Sequence, residues 1–201
     1  LLLDEYNKSK PTSIKGWYCS EKLDGYRTIW NTKTLLSRNN NSISYPDYFS
    51  KILPKDSWLD GELWLGRNDF DSHGFIREKT HNLAKWKNVK YLVFDIPDSN
   101  AGTFSTRYKK LKTILKLVKQ RWRNLLSDES LPIRCPVRRH KHYILHSEQQ
   151  LLDYFDYVIQ NDGEGIVIRD PSGLYETKRC KHSLKLKPKP VFLFFKIPST
   201  V

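Results

Sequence analysis

Residues 22–27 of this 201-residue chain read K-x-D-G-x-R, with Lys22, Asp24, Gly25 and Arg27 at the fixed positions. A lysine in such company is a candidate nucleophile. An unperturbed ammonium with a pKa of about 10.4 is only about 0.04% neutral at pH 7. Nearby cations or a bound metal raise that fraction, and only the neutral amine attacks. In an extended segment Lys22 and Asp24 would point to one face. Gly25 would leave room for a ligand or a close backbone approach. Alone, the pattern equally fits an ordinary turn carrying a surface lysine, so the rest of the chain decides.

Four further segments supply complementary chemistry. Residues 58–64, W-L-D-G-E-L-W, read as a strand holding Glu62 among aromatics. Residues 163–169, G-E-G-I-V-I-R, read as a β-branched strand entered through glycines, with Glu164 at its mouth. In residues 183–187, S-L-K-L-K, the alternation puts Lys185 and Lys187 on one face. Residues 91–96 form a buried-strand run bearing Phe94 and an acid. A nucleoside triphosphate site needs these parts: carboxylates for a hard divalent cation, cations for phosphates, an aromatic for the base.

In chain order, K-x-D-G-x-R, D-G-E, F-D-I, E-G-x-V-x-R and L-K-x-K resemble motifs I, III, IIIa, IV and V of the covalent nucleotidyltransferases. That superfamily contains DNA ligases, RNA ligases and mRNA capping enzymes. Within it the chain looks most like the minimal ATP-dependent DNA ligases, over essentially all of residues 1–188. The resemblance implies an α+β nucleotidyltransferase (ATP-grasp-like) adenylation domain over 1–188, with mainly antiparallel sheets flanked by helices around a nucleotide cleft. It implies ATP with Mg²⁺ or Mn²⁺, nicked duplex DNA as partner, and a monomer. Lys22 would carry AMP as a phosphoramidate, Ser20 would lie near adenine, and Phe94 would stack on it. Arg27 would reach the ribose side and the polyphosphate, and Glu62 would bind the ribose or a metal. Glu164 would help hold the metal, while Lys185 and Lys187 would grip the α-phosphate. Asp24 would support sealing near the 3′-hydroxyl, and Arg38 would meet the 5′-phosphate at a nick. Lys178 stands where the ligases often have glycine before Arg179, a departure outside the catalytic set. Arg27 argues against an NAD-dependent ligase, which usually carries a small residue there. The alternatives are an RNA ligase, a capping guanylyltransferase, or a DNA-binding remnant without catalysis.

The 35 Lys and Arg against 22 Asp and Glu give a formal charge of +13, which favours polyanion binding. Basic residues cluster at 109–123 and 134–142, where Arg121, Arg123, Arg138 and Arg139 are candidates to track a DNA backbone. His140 and His142 have no third ligand nearby in sequence, against a structural metal. Cys19, Cys135 and Cys180 form no C-x-x-C pair and suggest a reducing compartment, nucleus or cytoplasm, rather than export. No run of about twenty apolar residues offers a membrane span. The start at Leu1 and the lack of methionine lead us to expect a piece of a longer protein.

Two helices must position these parts. Leu111, Ile114, Leu115, Val118, Trp122 and Leu125 make the apolar stripe of a basic helix. A second helix opens at Ser147, with Gln150 completing a capping box, and buries Leu151, Leu152, Phe155, Val158 and Ile159. Its end at residues 161–163 delivers Glu164 into the cleft. Residues 39–41 and 126–136 read as loops. Residues 189–201, with Phe192, Phe194 and Phe195, read as a tail leading into an absent OB-fold domain, because so short a segment cannot form a barrel.

Overall fold

Two five-stranded sheets form the centre of this computed structural model, which describes residues 2–7, 13–68, 70–128 and 131–188. The tail expected at 189–201 lies outside the described residues. The first sheet runs β1 (Leu2–Glu5), β10 (Arg179–Leu186), β9 (Ile166–Arg169), β2 (Tyr18–Glu21), β8 (Tyr143–Ile144). The second runs β4 (Leu35–Ser37), β3 (Tyr26–Trp30), β5 (Leu59–Trp64), β6 (Lys90–Asp95), β7 (Val137–Arg139). Pairing is antiparallel except at β1–β10 and β6–β7. The helices are α1 (Asp47–Ile52), α2 (Leu83–Trp86), α3 (Phe104–Arg123) and α4 (Glu148–Gln160). This is the expected α+β class.

Each sheet buries one face under helices. In α3, Leu111, Leu115, Val118 and Trp122 are buried, a stripe at helical spacing. They join Trp30, Leu59, Leu63, Tyr91 and Val93 of the second sheet and Phe49 and Ile52 of α1 in the larger core. The first sheet packs Cys19, Ile166 and Ile168 against Leu151 and Val158 of α4. The Ser147 side chain accepts from Gln150 N and caps α4, and Gln150 Oε1 accepts from His146 N. That is the reciprocal arrangement expected from the sequence, displaced by one residue on the return bond.

The registers then dictate what the other faces carry. Across the first sheet Glu5, Lys185, Val167 and Ser20 form one row, turned away from the Cys19 face. Across the second sheet Arg27, Glu62, Leu92 and Arg138 form a row turned away from α3. The two sheets are tied together where Arg169 of β9 donates to Asp95 of β6.

Lys22 and Asp24 do not lie on a strand. β2 ends at Glu21, and residues 22–25 form the connection to β3. Only the Lys22 amide continues the ladder, donating to Gly165 O at 2.8 Å. Gly25 does make a close approach: an added Cβ would sit 2.5 Å from Leu63 O and 2.8 Å from Glu62 Cγ. Among the described residues no helix is long and apolar enough to cross a membrane, and Cys19, Cys135 and Cys180 are free.

Candidate active site

The end of β2 and the glycine-bounded entry to β9 place Lys22 beside Glu164. Lys22 Nζ donates to Glu164 Oε2, and Lys187 Nζ pairs with the other oxygen, Oε1. Gly165 makes this possible with φ of 144°, a region closed to most side chains. The amine lines a concavity of about 200 Å³ with Glu21, Asp24, Trp64, Arg67 and Glu164. Arg67 clamps its rim, donating from Nε and Nη2 to both Glu21 oxygens at 2.7 and 2.9 Å and from Nη1 to Asn161 O at 2.9 Å. Sequence reading missed Arg67, because nothing in its local pattern reveals a partner on β2.

Glu62 lies next to Arg27 in register and against Gly25. Burial pushes its carboxyl up to about 8, against the opposing pull of Arg27 and Lys22. Arg27 is itself engaged by buried Asp60, with Nε to Oδ1 at 2.6 Å, and Tyr175 donates to Asp60 Oδ2 at 2.8 Å. Asp95, fully buried, accepts from Arg107 Nε at 2.7 Å and Arg169 Nη1 at 3.0 Å. The guanidiniums of Arg27 and Arg169 both lie 5.0 Å from the Phe94 ring centroid. Asp60, Asp95 and Arg169 stand inside the quoted motifs, yet their role as a buried scaffold needed the fold to appear. Ser20 is buried on the cleft row, and Lys185 on the same row reaches Glu5 at 3.5 Å.

The basic candidates separate. Arg138 shares the cleft-side row with Arg27 and Glu62, and its Nε donates to Cys135 O at 2.9 Å. Arg38 is exposed just past β4. Arg121 and Arg123 sit on α3, against the other face of the second sheet, and are not brought to Lys22. Arg121 Nη1 instead donates to Ile52 O and Leu53 O at the end of α1. Arg139 lies 4.6 Å from the Tyr108 ring centroid. His140 and His142 bond to the carbonyls of Glu21 and His140. Among the described residues no three His, Cys, Asp or Glu side chains group to hold a metal.

A family model described as an ATP dependent DNA ligase domain matches residues 5–187. A DNA ligase of Haemophilus influenzae is 35% identical over 187 residues, which cover 93% of this chain and 62% of that protein. The chain therefore spans less than two thirds of that relative. A structure from work on Lig E DNA ligases superposes with a TM-score of 0.78 at 25% identity, covering 93% of this chain and 67% of that one. Chlorella virus DNA ligase-adenylate shares the fold, with a TM-score of 0.71 at 21% identity over 94% of this chain and 67% of that one.

Proposed function

This chain belongs to the ATP-dependent DNA ligase domain family, and from that premise we propose that it charges Lys22 with AMP from ATP and serves the sealing of nicks in duplex DNA. The observation that carries this reading is the convergence of Lys22 and Lys187 on Glu164, beside Glu62 and Arg27.

Lys22 Nζ attacks the α-phosphorus, forming an N–P bond as the bond to the pyrophosphate oxygen breaks. Glu164, already hydrogen-bonded to that nitrogen, aims it and takes its proton. Lys185, Lys187 and Arg27 meet the negative charge on the phosphates, where fixed cations act without reorganising. An adenine stacked on Phe94 shares the ring with the Arg27 and Arg169 guanidiniums. Ser20 lies on the cleft row beside it.

Glu164, and Glu62 once a bound cation displaces the proton that burial favours on it, are the carboxylates that would hold Mg²⁺ or Mn²⁺. Such ions take one or two carboxylates and complete their shell with phosphate oxygens and water, which suits a site lacking a protein-only cage among the described residues. When bound, the ion neutralises phosphate charge. In the later steps AMP passes to the 5′-phosphate, and the 3′-hydroxyl attacks that phosphorus as AMP leaves. Asp24 faces the Lys22 concavity for this chemistry, and exposed Arg38 is available to the 5′-phosphate.

The test is to incubate the protein with labelled ATP or GTP and Mg²⁺, then add nicked DNA or nicked RNA duplex. The expected result is an adduct from ATP alone, discharged by nicked DNA with appearance of sealed strand. Labelling by GTP instead, or discharge on RNA only, overturns the assignment.

A further inference from the structure

The strand that delivers Lys22 outruns one of its neighbours. β8 pairs with Tyr18 and Cys19 of β2, whereas β9 accompanies β2 as far as Glu21. Lys22 N donates to Gly165 O at 2.8 Å. By the alternation of an antiparallel ladder, the Glu21 carbonyl then points the other way, to the side where β8 has already ended. A carbonyl shielded from water needs a donor. His140 supplies it, with Nε2 2.8 Å from Glu21 O. A carbonyl only accepts, so this nitrogen carries the hydrogen. The peptide group between Glu21 and Lys22 is therefore gripped at both ends, its oxygen by His140 and its N–H by Gly165.

His140 is itself anchored. It follows the end of β7 and is buried. Its amide donates to Val93 O at 2.7 Å, and its carbonyl accepts from Tyr108 Oη of α3 and from His142 Nδ1, both at 3.1 Å. Val93 immediately precedes Phe94, as Glu21 immediately precedes Lys22. One residue thus donates to the carbonyl before the nucleophile on the first sheet and to the carbonyl before the aromatic ring on the second. The length of a histidine side chain sets the distance between those two points. Arg169 ties the sheets separately through Asp95, so loss of the imidazole would leave them joined.

We propose that His140 is a positioning residue for lysyl-AMP formation: its imidazole holds the Glu21–Lys22 peptide at a fixed distance from Phe94, so that the amine faces the α-phosphorus of an ATP whose adenine stacks there. The inference rests on the ligase reading for the reaction itself. His140 acts through the backbone of Lys22 and not through contact with the nucleotide. A misplacement of about 1 Å at a reacting atom can cost roughly 100-fold in rate. A histidine that only filled space could be replaced by any side chain of its size, whereas this role needs an N–H at the reach of Nε2.

The test compares His140→Gln, whose side-chain amide can place an N–H where Nε2 stands, with His140→Asn and His140→Leu, which cannot. Two variants without the donor keep the comparison readable should one fail to fold. Hydrogen exchange of the Lys22 amide is measured by NMR without ATP, and the single-turnover rate of lysyl-AMP formation is measured across ATP concentrations. In the Asn and Leu variants the Lys22 amide should exchange roughly fivefold faster or more, the loss of one hydrogen bond from its peptide. Their rate at saturating ATP should fall roughly 10- to 100-fold, with the half-saturating ATP concentration as in wild type. His140→Gln should restore both. Unchanged exchange in the Asn and Leu variants overturns the grip, whether or not the protein charges. Rates that fall equally in all three variants show a packing role only, and a change confined to half-saturating ATP shows direct contact with the nucleotide; each overturns the proposal. The expected exchange pattern in a protein that forms no lysyl-AMP supports the grip while removing the ligase reading.

Discussion

Glu62 is the residue whose chemistry and stability pull in opposite directions. Its carboxyl is raised from an ordinary 4.5 to about 8, with burial the largest cause. Between those values the native state holds a proton that the unfolded chain has released. Its contribution to stability is therefore full below about pH 4.5 and lost as pH rises through about 8. The loss cannot be steeper than about 1.4 kcal/mol per pH unit for one proton. Glu62→Gln removes it, so the unfolding temperature of the variant minus that of the wild type should rise from pH 5 to pH 8. A flat difference would mean that Glu62 is as well solvated when folded as when unfolded. That Lys22, Glu62, Glu164 and Lys187 would come together in one cleft was legible in the sequence through the resemblance of their motifs to one family. Arg67 was not, since its partners Glu21 and Asn161 are distant in the chain.

At the scale of elements, the two long helices could be read from periodicity and caps, because those signals are local. Whether the chain stays extended through Lys22 could not be read from the sequence, because β2 ends where pairing with β9 ends, and pairing is not local. The parallel partnership of β1 with β10 was invisible for the same reason. Two substitutions separate a purely structural element from a functional one. Ser147→Ala removes the α4 cap and should cost about 1 kcal/mol in denaturant unfolding while leaving lysyl-AMP formation intact. Gly165→Ala forces a side chain into φ of 144° and against the Leu186 carbonyl, in the segment that holds both Lys22 and Glu164. It should abolish lysyl-AMP formation, and normal charging of this variant would contradict the geometry.

Across the whole molecule, Asp95 ties the first sheet, through Arg169, and α3, through Arg107, to the second sheet. Asp95→Asn leaves two buried guanidiniums short of their counter-charge and should cost about 3–5 kcal/mol in denaturant unfolding. The pair of Arg179 with Asp4 is exposed, with side chains 60% and 38% accessible. Arg179→Ala should change stability by no more than about 1 kcal/mol. Equal effects from the two would mean that the Asp95 network does not join the sheets. The excess of positive charge was plain in the sequence. Its division between the outer side of α3 and the cleft side was not, because strand register decides which face each cation takes.

The most direct test of the account is intact-mass and peptide mapping of the protein after incubation with ATP and Mg²⁺. It predicts one AMP per chain, attached at Lys22, absent from Lys22→Ala, and absent from Lys22→Arg because a guanidinium stays protonated near neutral pH. An adduct that persists in Lys22→Ala, or maps to another residue, would contradict it.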